Sequence, residues 1–313
     1  MLVSIITPFY EGNRYIEEYQ EMILENEKNL KDGDSLEVLI VNDSPKTAVA
    51  LSGTSLIRKN WKILTNNENI GIHGSRINGL SEASGEYVIF LDQDDLLTEN
   101  AVPELIKAAR GNGDAAVIVA NAYLTQEDFR SEWYRTAYHK EKIGDYATYR
   151  HIGTQIISPG QCLIKKDKIP EFWINNPLRK NGADDYFLWI LLLQAGEKFV
   201  YTDEVLYTHS YTGENISNRT EKTDASAYEF LDLLSKKEGF PEKDIKEIRT
   251  MLSVKDGFRN GGAGEKLRLS LMHPLIMLRN FRFKIGSHTK YGFNRANNQH
   301  TQGPANSGTS GNS

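Results

Sequence analysis

Three carboxylates, Asp92, Asp94 and Asp95, fall within four residues directly after the apolar run Tyr87-Val88-Ile89-Phe90-Leu91. An apolar run of that length reads as a buried strand. The carboxylates cannot continue into the core, because unpaired buried charge is too costly. They must lie at the strand's edge and meet a cation. Hard oxygen ligands suit Mg²⁺ or Mn²⁺, and a divalent ion held by one or two carboxylates completes its shell with substrate phosphates. The chemistry implied is the handling of a phosphorylated substrate. The plainer alternative is an acidic turn that opens a helix at Thr98 or Glu99.

The elements that must position these residues alternate through the first hundred positions. Leu2 to Thr7 reads as a β-branched strand stopped by Pro8, and residues 13–30 carry a helical pattern. Leu36 to Val41 and Trp61 to Thr65 read as strands, Ile72 to Ala83 as a helix, and Tyr87 to Leu91 as the central strand. Such alternation implies a parallel sheet with helices on both faces, whose ligands sit outside the carboxyl ends of the strands. Thr7-Pro8, Asn42-Asp43 and Asp92-Gln93-Asp94 are three such ends and should converge on one crevice.

Further on, residues 117–120 read as a short strand, and the tyrosine-rich stretch 123–151 suits either core or a sugar or polyprenol surface. Residues 184–195 form an apolar helix opened by Asp184 and Asp185, where Asp is favoured as a cap and as a partner of the macrodipole. Residues 224–258 read as one or two amphipathic helices. Beyond Ser287 the Gly, Asn, Ser, Thr and Gln content cannot bury a core and predicts disorder. The boundaries expected are a catalytic domain over 1–220, a helical extension over 221–286 and a tail over 287–313.

Bulk properties narrow the class. The 313 residues, 39% hydrophobic and 25% charged, are those of a soluble globular protein. A formal net charge of -5 argues against nucleic acid as a partner. The one cysteine, Cys162, excludes an intramolecular disulfide and reads as a small core residue. The N-terminus reads as a strand and not a signal peptide, and no apolar run is long enough to span a bilayer. The expected location is cytoplasmic.

The ordered set Ile6-Thr7-Pro8-Phe9-Tyr10, Val41-Asn42-Asp43-Ser44, Asn69-Ile70-Gly71 with Arg76 and Asn78-Gly79, Ser84-Gly85-Glu86-Tyr87, Leu91-Asp92-Gln93-Asp94-Asp95 and Asp184-Asp185-Tyr186-Phe187-Leu188-Trp189 resembles family 2 glycosyltransferases. The likeness continues through Gly196, Tyr201, Asp203-Glu204 and Leu206-Tyr207, covering roughly 1–217. It implies a GT-A, Rossmann-like α/β fold with a mostly parallel sheet, a nucleotide-sugar donor, Mn²⁺ or Mg²⁺, and inversion at the anomeric carbon. By the same resemblance Pro8, Tyr10 and Glu11 border the base, and Asp43 accepts a hydrogen bond from a ring N–H, commonly that of uracil. Asp92 approaches the ribose or the metal, Asp94 holds the metal, and Arg76 lies near the donor. Asp43 has a rival role as a turn or cap residue before Ser44-Pro45, and Arg76 has one as a solvated helix residue.

A single displacement also needs a base near the acceptor hydroxyl. The resemblance implies Asp185, supported by Asp184. This chain has Phe187 where the family often has Asp, which implies a different acceptor wall. The family's late histidine aligns with Thr212, counting to Ser217, while His209 lies three residues earlier as a metal or diphosphate candidate. His73, His139 and His151 have no spacing that suits a metal site.

Residues 266–290 mix basic and large apolar side chains. Such a stretch fits an anionic membrane, hence a peripheral place at its inner face, or a helix packed on the catalytic domain with its basic residues in water. The function expected is transfer of a UDP-hexose or UDP-N-acetylhexosamine sugar to a glycan or polyprenyl-linked acceptor in cell-surface polysaccharide assembly; a homo-oligomer is compatible. The alternative from another class is a catalytically silent nucleotide-sugar-binding or scaffold protein. A nucleotidyltransferase would want a Gly-rich basic loop after the first strand, and a dehydrogenase a Gly-x-Gly-x-x-Gly there; Pro8-Phe9-Tyr10-Glu11-Gly12 supplies neither.

Overall fold

A computed structural model describes residues 1–53, 58–126, 129–210 and 220–288. Its first part runs β1 (Leu2–Phe9), α1 (Ile16–Lys28), β2 (Ser35–Asn42), β3 (Trp61–Thr65), α2 (Gly71–Glu82) and β4 (Tyr87–Phe90). β3, β2, β1 and β4 lie side by side and parallel, with Phe9 opposite Asn42 and Ile6 opposite Phe90. That register brings Tyr10, Asp43 and Asp92 to one end of the sheet.

Side chains alternate between the faces of a strand, and β1 uses both. Thr7 Oγ1 shares a 2.8 Å hydrogen bond with Tyr19 OH of α1. Its neighbour Ile6 points the other way, against Gly79 of α2, where any Cβ would collide with Ile6 and Val41. So α1 and α2 cover opposite faces, and α2 lies close because position 79 has no side chain. Pro8 does not end β1 as expected; the strand continues to Phe9. The β4 pairing ends at Ile6, so at Pro8 the strand has only β2 beside it and a missing N–H is tolerated.

The chain continues through β5 (Leu96–Leu97), α3 (Ala101–Gly111), β6 (Ala115–Gln126), β7 (Phe129–Glu132), α4 (Ala137–Glu141), α5 (Tyr146–His151), β8 (Cys162–Lys165), α6 (Glu171–Asn175), α7 (Asp184–Gln194) and β9 (Lys198–Ser210). Here the sheet becomes mixed. β8 is antiparallel to β4 and β6, β9 is parallel to β6, β5 is antiparallel to β9, and β7 forms a hairpin with β6. The strand expected at 117–120 is much longer, because pairing with β9 carries it past Asn121 through register shifts. The acidic turn leads into β5, and the next helix starts at Ala101 and not at Thr98 or Glu99. Trp133, Tyr134 and Tyr149 of the tyrosine-rich stretch are core, as is Cys162.

Four helices follow: α8 (Thr220–Leu234), α9 (Glu242–Asn260), α10 (Ala263–Met272) and α11 (Pro274–Ser287). α8 covers α7, with Phe230 stacked on Phe187 at 5.6 Å between ring centres. Phe187 is fully buried there, so it is a core residue and not a wall of the crevice. The tail from residue 289, together with Thr212 and Ser217, lies outside the described residues. No helix among the described residues is long and apolar enough to cross a membrane.

Candidate active site

α2 organises one side of the crevice through its N-terminus. The first N–H groups of a helix lack partners within it. Here Asp43, at the end of β2, accepts from Ile70 N (2.8 Å) and Gly71 N (2.9 Å), and Asn181 accepts from Ile72 N (3.0 Å). Asn66 Nδ2 also donates to Asp43, at 2.8 Å. Asp43 is therefore a cap, but of α2 and not of a turn before Ser44-Pro45. Gly71 has a φ of +81°, and a Cβ there would come within 2.7 Å of the Asn181 amide oxygen. Only glycine lets the two loops meet so closely.

His73 of α2 secures the same contact from below. Leu178 N–H donates to His73 Nδ1 at 2.9 Å, and the ring packs on Trp173. Burial pushes the imidazole down to about 4, so it is neutral and able to accept.

The Asp92–Asp95 loop is held from both ends. Tyr10 N donates to Gln93 Oε1 (2.9 Å) and Gln93 Nε2 donates back to Tyr10 O (3.1 Å), joining this loop to the end of β1. Tyr10 itself is half exposed, and Glu11 is exposed at a φ of +49°, its N–H donating to Ser44 Oγ. Pro8 stays within β1. At the other end Asp95 is buried and accepts from Tyr207 OH, while its second oxygen pairs with His209 Nδ1 at 2.9 Å. Burial works against a charged His209, but the charge and hydrogen bond of Asp95 outweigh it and hold the imidazole above its ordinary range. The third carboxylate of the cluster thus orients a histidine. Asp92 and Asp94 remain half-buried at the crevice.

Arg76 joins this loop to α7. Its Nη2 donates to Asp92 Oδ1 and its Nη1 to Asp184 Oδ2, both at 2.6 Å, and its Nε is buried without a partner. It is not a solvated helix residue. Burial alone would raise Asp184, but Arg76 holds it below the usual carboxylate range. Among the described residues no such cation contacts Asp185. Burial, then the charge of Asp184, pushes it up to about 7. Asp94 is likewise pushed up to about 7, by burial and then by Asp95 and Asp92. Among the described residues these carboxylates outnumber the cations in contact with them, Arg76 and His209.

That surplus is the test of fit for a divalent cation. Hard oxygens of Asp92 and Asp94 in a carboxylate-rich cluster suit Mg²⁺ or Mn²⁺. Among the described residues no group of three or more His, Cys, Asp or Glu side chains is disposed to hold a metal. The donor set fits an ion that takes part of its shell from a ligand's phosphates.

The structure therefore brings Tyr10, Arg76, Asp92, Asp94, Asp184, Asp185 and His209 to one end of the sheet, with Asp43 turned into the cap of α2. Sequence reasoning missed Gln93, Asn181 and the Asp95–Tyr207–His209 arrangement. An Asn before Gly182 was the visible signal for a loop at 181. No signal short of the fold pairs it with Ile72.

Residues 4–173 match glycosyl transferase family 2, and the chain belongs to that family of glycosyltransferases. Glycosyltransferase GlyG of Streptococcus pneumoniae is 25% identical over 75% of this chain and 79% of its own length. Glycosyltransferase GlyA of the same organism is 27% identical over 80% of this chain, which spans only 37% of GlyA. Among solved structures, S. aureus TarS residues 1–349 in complex with UDP aligns with a TM-score of 0.57 at 16% identity, over 85% of this chain and 77% of that one. Mannosyltransferase PcManGT from Pyrobaculum calidifontis, in complex with GDP-Man and Mn²⁺, aligns at 0.52 and 14%, over 90% and 81%. At those identities the likeness is one of fold.

Proposed function

We propose that this chain is an inverting, divalent-cation-dependent glycosyltransferase of the cytoplasmic face. It moves a hexosyl or N-acetylhexosaminyl group from a uridine diphosphate sugar to a hydroxyl of a glycan or polyprenyl-linked oligosaccharide of the cell surface. The observation that carries the reading is the guanidinium of Arg76, shared by Asp92 and Asp184. It fixes the acidic loop against the helix end that bears a second acidic pair. Neighbours in fold solved with UDP, with UDP-GlcNAc, and with GDP-Man and Mn²⁺ support the donor and the cation. A Campylobacter jejuni relative, 29% identical over 40% of this chain and 39% of its own length, is named GalNAc(5)-diNAcBac-PP-undecaprenol beta-1,3-glucosyltransferase, which supports a lipid-linked acceptor.

Asp185 takes the proton of the acceptor hydroxyl as that oxygen bonds to the anomeric carbon. The bond from that carbon to the diphosphate oxygen breaks in the same displacement. The nucleoside diphosphate leaves with the electron pair, and configuration inverts. Asp185 suits this role better than Asp184, because Asp184 is committed to Arg76 and Asp185 is poised at about 7. Arg76 adds fixed positive charge beside the developing diphosphate. Asp94 and Asp92 would hold Mn²⁺ or Mg²⁺, with His209 oriented by Asp95 as a further donor; the ion supplies charge to the diphosphate oxygens. Pro8, Tyr10 and Glu11 border the base. Asp43 receives a uracil N–H as a further donor, since a carboxylate has about four acceptor positions and three are in use.

The test is Asp185→Asn. Turnover of the UDP-sugar should fall by about 10²–10⁴-fold, while UDP with Mn²⁺ still raises the melting temperature as it does in the parent. Full turnover in the variant removes Asp185 from the mechanism.

A further inference from the structure

α11 is apolar on two opposite sides. One side is docked on the body. Phe283 packs edge-on to the His139 ring at 5.5 Å between centres, Thr136 Oγ1 donates to Gly286 O at 2.7 Å, and Gly286 lies against the Tyr138 ring, where no Cβ would fit. Asn280, Phe283 and Ser287 are the buried residues of this helix. At 100° per residue they share one face, and Leu275, Leu278, Phe281 and Ile285 share the opposite one. Those four are 53–66% exposed, and Leu271 at the end of α10 is 75% exposed. Leu271 and the exposed Met272 stand directly before the His273-Pro274 break between α10 and α11. No other part of the described chain exposes large apolar side chains in such density.

Charge identifies what covers it. The chain as a whole carries -5, yet residues 263–288 hold Lys266, Arg268, Arg279, Arg282 and Lys284 against Glu265 alone. Glu265 is paired with Arg268. Arg279 and Lys284 lie on the two edges of the apolar stripe and Arg282 within it, and all three are exposed. A second copy meeting this face by two-fold symmetry would bring a second basic segment into the same interface, and concentrating like charge there is unfavourable. An apolar stripe with basic flanks on a helix too short to span a bilayer matches an anionic lipid surface, with the helix lying in the interface plane.

We propose that α10 and α11 form a membrane-docking helix pair that binds the surface of anionic bilayers, inserting Leu271, Leu275, Leu278, Phe281 and Ile285 beneath headgroups that pair with Arg279 and Arg282. This does not rest on the transferase reading. The experiment is co-sedimentation of the full chain with vesicles of phosphatidylcholine alone, or with about one-third phosphatidylglycerol, at low and high salt. Binding is expected on the anionic vesicles and should weaken with salt. The double variant Arg279→Glu/Arg282→Glu should bind at least about tenfold less, and Leu275→Ser/Leu278→Ser should lose binding at both salt concentrations. Both variants should keep the parent's melting temperature and its response to UDP and Mn²⁺, which separates lost docking from lost folding. A parent that stays in the supernatant with anionic vesicles overturns the proposal. So does binding unchanged by either variant, or a leucine variant whose only effect is to turn a dimer into a monomer.

Discussion

Arg76 shows how much one side chain settles at this site. It is almost fully buried between two carboxylates. Removing one partner of a buried ionic group leaves the other charge uncompensated, at about 3–5 kcal/mol. Arg76→Met should therefore lower unfolding free energy by about that amount in urea titrations, and adding Asp184→Leu should restore part of it, since the second change removes a stranded charge. A second expectation follows from Asp185. A base acts only when ionised, and this carboxyl is held at about 7. The kcat/KM of the free enzyme should rise with pH through about 7 and level off above it. Under saturating Mn²⁺ an ion held by Asp94 would keep that carboxylate ionised and out of the profile. A flat profile from pH 6 to 8 would count against Asp185 as the base. Asp92, Asp94, Asp184 and Asp185 were legible in the sequence as candidates, because carboxylates beside apolar runs must find a partner or water. The Arg76 partnership was not, because its partners lie 16 and 108 residues away and no local pattern marks them.

Among the elements, α2 carries more of the site than its modest amphipathicity suggests. Its exposed N–H groups are answered by Asp43 and Asn181, both from other segments. Loss of a helix cap costs about 0.5–2 kcal/mol. Asp43→Ala should lower the melting temperature by a few degrees even without nucleotide, and it should also weaken UDP binding. Nucleotide binding lost at an unchanged melting temperature would assign Asp43 to the base alone. In the parallel half β1, β2 and β4 were readable because each is buried on both faces and nearly continuous in apolar residues, whereas the edge strand β3 is largely exposed. β9 was not readable as a single long strand. It carries Asp203, Glu204 and Lys198, and it exists through pairing with β6 and β5, which overrides local preference.

At the scale of the molecule, the helices after residue 220 share the core that the sheet begins. Phe230 is fully buried on Phe187 and Tyr186. Phe230→Ala should cost about 3–5 kcal/mol. Calorimetry should still show one transition, because α7 and α8 lose their packing together; two separated transitions would show the helices folding as a unit of their own. The distance along the chain between Arg76 and Asp184 has a consequence for biosynthesis. As the polypeptide emerges, the sheet, α2 and Asp92 can assemble while α7 is still being made. Until it arrives, the guanidinium lacks its second carboxylate and the loop bearing Asn181 has not reached α2. The clasp around Arg76 and the cap of α2 are thus completed together and late, so the crevice takes its final shape only after residue 184 has been made.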